Sequence, residues 1–383
     1  MNPLIRKAGR WAKRAQLRAL RRLSSQKARY NTLLNQREIW HGRARLDSFP
    51  REIQVGTNWT CNLRCYFCRR QSVEAERLAS LQPSQREIPQ AALDKLMAVL
   101  PYAEVFNLTP LGEPLLYSGL DRLLERCRAV RPRNLQLTTN GNAMTEARAR
   151  QLVEAGVRRI FFSIDSADPT TYAEMRVGGT LDKASEGLAH LNEWKARLGA
   201  DIPEIVIAST FMRRNITDLP GLVEFARANQ ASLLSVQLME AEDPSLEPET
   251  LGRHIPLTVD WLRQARRKAR ELGVNLAVHP ALRNLLAAHA GEPGVAELLA
   301  EEPALDTRGQ TLMDKCLYPW TFLVVDTDGD ARPCCWAALS YGNLAERSFD
   351  EIWNGEAAQR MRRDFLSNLI SPYCQGKHCR VDL

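Results

Sequence analysis

From residue 49 onward the chain alternates between two hydrophobic periods. Short β-branched or apolar runs at 52–57, 104–108, 134–138, 158–163, 204–211 and 233–240 predict strands. Between and after them, segments 90–100, 120–130, 146–155, 181–198, 219–228 and 258–272 repeat apolar residues every three or four positions and predict helices. Repeated strand-then-helix units imply an α/β fold with a parallel sheet and right-handed crossovers, either a partial (β/α)6 TIM-like barrel or an open doubly wound sheet. In both arrangements ligands gather at the C-terminal ends of the strands.

The pattern fails at the two ends of the chain. Residues 1–48 read as a basic helical arm, with Leu4, Ala8, Trp11, Ala15 and Ala19 at helical spacing among arginines and lysines. Beyond the barrel segment at 49–275, residues 276–310 are small, acidic and Pro-containing and suit a linker. Residues 311–383 then change texture to short strands, cysteines and aromatics, a small α+β domain.

Composition narrows the class without choosing a function. At 44% hydrophobic and 25% charged residues, a chain of 383 residues buries a sizeable core. No stretch reaches the apolar length of a membrane span, and the N-terminus has charge where a signal peptide has an apolar core, so a cytoplasmic location is expected. The net charge of +7 is concentrated at one end: residues 1–47 hold thirteen Lys or Arg against Glu38 and Asp47, a net of +11, leaving −4 for the rest. The body therefore offers no basic surface to nucleic acid, and no nucleic-acid partner is expected. The arm suits contact with an anionic membrane surface or an acidic partner, or a solvated helix capping one end of the barrel.

In a reducing compartment, cysteines serve metals or catalysis better than disulfides. Eight of the nine fall in two groups, Cys61 to Cys68 and Cys316 to Cys379, which argues for two sites; Cys127 lies on a predicted helix and reads as a packed or surface thiol. Cys61, Cys65 and Cys68 sit just after the first predicted strand. Three thiolates so spaced hold three irons of a [4Fe–4S] cubane and leave the fourth open, whereas zinc normally wants a fourth protein ligand, and no Cys or His is near in sequence.

This Cys-x3-Cys-x2-Cys run resembles the signature of the radical S-adenosylmethionine superfamily, whose cofactor chelates the open iron and is cleaved to a 5′-deoxyadenosyl radical. Gly112, Glu113 and Pro114, preceded by Leu111, resemble the family's GGEP motif. The resemblance implies cofactor-binding roles for these three and for Phe67, Ser163, Asp165 and Arg176. At the C-terminus, Cys316, Gly329 and Cys334, then Gly342-Asn343-Leu344 and the stretch from Ser348 to Trp353, resemble the SPASM and twitch domains. That likeness implies an auxiliary [4Fe–4S] cluster on Cys316, Cys334, Cys374 and Cys379, with Cys335 spare; the alternative is a small zinc module.

A second cluster with four protein ligands is closed to substrate and suited to accepting an electron, which implies net oxidation. Glu240 and Asp243, after the sixth predicted strand beside Glu242, are candidate catalytic bases. The expected activity is that of a dehydrogenase-type oxidoreductase acting on a sugar, an aminocyclitol or a lipid-linked glycan, with an electron donor of the flavodoxin or ferredoxin type. The alternative is a maturase acting on a ribosomally made peptide. A cyclase of the molybdopterin-precursor type, whose auxiliary cluster has three cysteines, fits less well with four candidate ligands.

Overall fold

A computed structural model describes residues 26–300, 316–370 and 372–374. Seven parallel strands follow one another in space as in sequence: β1 (Glu52–Val55), β2 (Val105–Leu108), β3 (Leu135–Thr139), β4 (Arg159–Ser163), β5 (Glu204–Phe211), β6 (Leu233–Leu238) and β7 (Leu276–Val278). Helices Gln90–Val99, Leu120–Val130, Glu146–Ala155, Leu181–Leu198, Leu219–Ala228 and Ile255–Leu272 make the crossovers. Leu96, Leu123, Leu152, Leu188, Leu222 and Leu262 are buried at helical spacing on their inner faces, and Ile53, Phe106, Leu137, Ile160, Ile207 and Val236 are buried on the strands they cover. Helix boundaries follow their caps: Thr145 and Thr180 accept backbone N–H groups at two N-termini, and Gly156, Gly199 and Gly273 close three C-termini in the left-handed conformation.

Two features depart from the sequence expectation. Residues 276–300, expected as linker, form β7 and two further helices, Pro280–Ala288 and Val295–Ala300. They are held to the barrel by pairing of β7 with β6 and by the Arg266 guanidinium, which donates to Leu298 O at 2.7 Å. The second departure concerns the cysteine-rich segment. Its first strand, β8 (Phe322–Val325), pairs in parallel with β1, from Glu52 opposite Phe322 to Val55 opposite Val325. The antiparallel β9 (Asp330–Arg332) and β10 (Gly342–Asn343) extend the same sheet, whose edges are β7 and β10.

The arm expected over residues 1–48 enters the described structure at residue 26; its cluster of basic residues before that lies outside the described residues. A helix at 26–40 buries Asn31, Asn35 and Glu38. Asn31 exchanges hydrogen bonds with the backbone of Phe49, Asn35 donates to Trp320 O at 2.8 Å, and Glu38 accepts from the N–H of Asp47 and Ser48. The helix thereby docks beside the starts of β1 and β8. Segment 42–49 is clamped from the other side: Arg362, fully buried on helix Glu356–Leu366, donates to Ala44 O and Pro319 O, both at 2.8 Å, and stacks on Trp353. Arg362→Leu leaves those two carbonyls without a donor in the interior. It is expected to cost about 3 kcal/mol, read as a lowered melting temperature, with new protease cleavage between residues 42 and 49.

Candidate functional site at the barrel mouth

The loop after β1 is built from backbone. Gly112 N–H donates to Asn58 O and Glu113 N–H to Thr60 O at 2.7 Å, so the loop after β2 is strapped to the chain that leads into Cys61. A Cβ on Gly112 would lie 2.3 Å from Thr60 O and 2.7 Å from Asn58 O, which requires glycine there. Glu113 points inward, fully buried, and accepts from the N–H groups of Leu115 and Asn140 and from the Thr139 hydroxyl at 2.6 Å. Burial pushes its carboxyl up to about 7 against the pull of those donors. Its side chain thus braces the loops after β2 and β3, while the backbone at 112–113 shapes the loop. Pro114, also buried, starts the turn that follows.

On its far side the cysteine loop is tied to the end of helix Pro169–Met175: Arg64 N–H donates to Val177 O and Tyr66 N–H to Met175 O. Arg176, next in the chain, reaches back into the site. Its guanidinium donates to Cys65 Sγ at 3.5 Å, pairs with Asp165 at 2.5 Å and lies over the Phe67 ring at 5.3 Å. Asp165, just beyond the end of β4 at Ser163, is completely buried and also accepts from Thr210 N–H at 2.8 Å. Phe67, Asp165 and Arg176 are therefore one unit with Cys65. Ser163 ends β4 opposite Ala208.

These residues fit a charged cofactor beside an iron–sulfur cluster. Arg69 Nε is buried without a hydrogen-bond partner, whereas Asp165 Oδ2 and Arg176 Nε, also buried, meet each other at 2.5 Å. An unpartnered buried donor such as Arg69 Nε is costly unless a polar ligand meets it. Burial pushes the Cys61 thiol up to about 11 and raises that of Cys68, so the thiols hold their protons until a cation displaces them. All eight described cysteines are free, and among the described residues no three His, Cys, Asp or Glu side chains converge on a single metal ion. A cubane spreads its thiolates over separate irons and needs no such convergence.

Cys65 and Cys68 open onto a cavity of about 1350 Å³ that Cys316, Cys334, Cys335 and Cys374 also line. The turn between β8 and β9 sends the chain back towards Cys334: Gly329 has φ +88° and an added Cβ would stand 2.7 Å from Asn343 Oδ1, so this turn too requires glycine. Cys379 lies outside the described residues. Cys127 is buried in the barrel core, away from both groups.

Glu240 and Asp243 both line the cavity. Burial, and secondarily the neighbouring Glu242, pushes the Glu240 carboxyl up to about 7. Asp243 instead caps the turn at Pro244–Glu249 by accepting from Ser245 N–H at 2.9 Å, which holds its carboxyl below the usual range. The sequence reading passed over several residues on and behind this wall. Met175, Met212 and Met239 gather with Leu246 against Phe67, and Arg69 pairs with Glu74 and Glu242. The available signals were positional: Met212 and Met239 each directly follow a strand, and Arg69 directly follows the third cysteine.

Gly112→Ala forces the loop away from Asn58 and Thr60. The expected cost is about 1–3 kcal/mol, together with a lower iron content after anaerobic reconstitution, measured by melting and by colorimetric iron assay.

Comparison with known proteins agrees with this geometry. Residues 60–197 match the family model of the radical SAM superfamily, and residues 316–380 that of the SPASM iron–sulfur cluster-binding domain. The AdoMet-dependent heme synthase of Methanosarcina barkeri is 26% identical over 325 residues, 82% of this chain and 85% of its own. A GTP 3′,8-cyclase from Bradyrhizobium diazoefficiens is 27% identical over 231 residues, 58% of this chain. The chain spans just under two thirds of the first curated relatives it matches, 65% of the "Probable GTP 3′,8-cyclase" of Methanococcus maripaludis. Among solved structures, Streptococcus suis SuiB bound to precursor peptide SuiA superposes with a TM-score of 0.60 at 18% identity, covering 88% of this chain and 72% of that one. Native anSMEcpe with bound AdoMet gives 0.57 at 17% identity, covering 86% and 88%. At these identities the likeness is one of fold. With both family models matched in chain order, the chain belongs to the radical SAM superfamily, with a S-adenosylmethionine and [4Fe–4S] site in its barrel and an iron–sulfur SPASM domain at its C-terminus.

Proposed function

We propose that the protein is a radical S-adenosylmethionine oxidoreductase that removes two electrons from a substrate C–H bond. The single observation that carries this reading is the shared cavity, lined both by Cys65, Cys68 and Arg176 and by Cys316, Cys334 and Cys374, with Glu240 on its wall. Cys61, Cys65 and Cys68 are assigned to the first cluster and Cys316, Cys334, Cys374 and Cys379 to the second. When bound, these groups and the cofactor supply a 5′-deoxyadenosyl radical that takes a hydrogen atom and an acceptor for the electron left behind. The remaining product of the oxidation is a proton, and Glu240 receives it.

Several chain residues serve that step. Arg176, fixed by Asp165, offers its charge to the cofactor's carboxylate, and Phe67 with Met239 gives an apolar wall backed by Met175 and Met212. Backbone at Gly112 and Glu113 holds the loop in place, and Ser163 and Asp165 stand at the strand end where the cofactor's polar groups would lie. Asp243 keeps the turn after Glu240 in shape. The carboxyl of Glu240 is tuned for proton transfer near neutrality, because a base works best with a proton affinity close to the working pH.

The size of the cavity favours one alternative. At about 1350 Å³ it exceeds the usual small-molecule pocket, and after seating a cofactor it retains room for part of a peptide chain. The fold neighbours SuiB and anSMEcpe, both solved with peptides, support a peptide-modifying maturase as the second reading. Under either reading a flavodoxin- or ferredoxin-type donor supplies the reducing electron.

The test is to follow 5′-deoxyadenosine and substrate mass with candidate alcohols and peptides. A product lighter by two mass units, lost in Cys316→Ala/Cys334→Ala while 5′-deoxyadenosine persists, supports oxidation. A product of unchanged mass contradicts it. Because the base must be ionised, the rate of oxidation is expected to rise with pH through about 7. Glu242→Gln removes a like charge, lowers the proton affinity of Glu240 and is expected to move that limb to lower pH; Glu240→Gln abolishes it.

A further inference from the structure

The helix at 26–40 is inside out. Besides Ala28, its inner face buries Asn31, Asn35 and Glu38, each hydrogen-bonded to backbone, while its outer face holds Tyr30, Leu33 and Trp40 at 67%, 66% and 86% exposure. Spacing of three and then seven residues puts these three on one stripe. Arg29 and Arg37 are exposed on the same side, and the helix's one acid, Glu38, points inward. The apolar surface continues beyond the helix. Gly42 abuts Leu366, whose neighbours Leu369 and Ile370 are 60% and 47% exposed. Single exposed apolar residues are ordinary, but a larger apolar patch rimmed by polar residues marks an interaction surface.

We infer that this face docks the protein on an anionic lipid surface. Indole and phenol rings prefer the boundary between headgroups and acyl chains, where one edge is wet and the other apolar. Arginines around them match lipid phosphate. The sequence immediately before the helix adds to the same charge: residues 1–25 hold eight Lys or Arg and no acid. Apolar burial combined with several cationic residues is what gives a peripheral protein useful affinity for acidic membranes. No described helix is long and apolar enough to cross a membrane, so the contact is one of lying on the surface. The helix sits beside the starts of β1 and β8, and docking there leaves the cysteine loop after β1 unobstructed.

The full-length protein tests this by flotation with vesicles of phosphatidylcholine alone and of phosphatidylcholine with one quarter phosphatidylglycerol. Binding is expected with the anionic vesicles only, falling as salt rises. Tyr30→Ser/Leu33→Ser/Trp40→Ser is expected to weaken it at least tenfold with melting temperature and iron content unchanged. As a second measurement, brominated lipids are expected to quench part of the tryptophan fluorescence of the wild type, a component missing in Trp40→Phe, which still binds. Absence of flotation at low salt overturns the inference. So does binding that the triple variant retains in full, which would assign it to residues 1–25 alone. A dimer that the triple variant dissociates, without vesicle binding, would make the face an interface between copies or for a protein partner and equally overturn it.

Discussion

The arrangement depends on one pairing, that of β8 with β1. Both strands run in the same direction, and four successive residues of each are in register. Cys61 to Cys68 leave the far end of β1, whereas Cys316 precedes β8 and Cys334 follows the returning β9. The two cysteine groups therefore reach one cavity from different ends of the same pair of strands. On the proposed reading each group holds its own cluster, and the cavity that both line would receive the substrate. Lys95 reinforces the join by donating to the carbonyls of Leu344, Ala345 and Arg347, as does Arg77 by pairing with Asp328 at 2.5 Å.

Burial of charge at the mouth has a cost that the fold meets locally. Arg176 and Asp165 are buried as a pair, and removing one partner would leave an uncompensated charge in the interior. Their placement makes sense if the pair is a preorganised contact: Arg176 is held by Asp165, by the Phe67 ring and by Cys65, so it need not reorganise when an anionic group arrives. Glu113 solves a related problem by a different route, its buried carboxyl taking three donors from two loops.

Much of this was legible in the chain. Helices 120–130, 146–155, 181–198 and 219–228 and strand 204–211 have the boundaries the sequence predicts, and the other five predicted strands differ by one or two residues at their ends. β7 was missed because three residues, Leu276 to Val278, are too short for a period-two signal. Helix Pro169–Met175 was missed because its seven residues show little periodicity, although Asp168-Pro169 is a start signal. The cysteine spacing pointed to the first site, and the Gly329 turn to the second. What sequence could not give was convergence: the approach of Arg176 to Cys65, 111 residues apart, and of Glu240 to the far cysteine wall depends on how the crossovers pack. The arm is helical over 26–40, but its faces were not legible, since a surface helix usually turns its apolar residues inward and here Asn31, Asn35 and Glu38 are buried while Tyr30, Leu33 and Trp40 are exposed.

The most direct test of two iron–sulfur sites facing one cavity is iron counting with paramagnetic resonance after anaerobic reconstitution, on the wild type and on Cys61→Ala/Cys65→Ala/Cys68→Ala. About eight irons in the wild type and about four in the variant, with 5′-deoxyadenosine made by the wild type alone, is the predicted result. About four irons in the wild type and none in the variant would contradict it, leaving the C-terminal cysteines without a cluster and the oxidation without an electron acceptor.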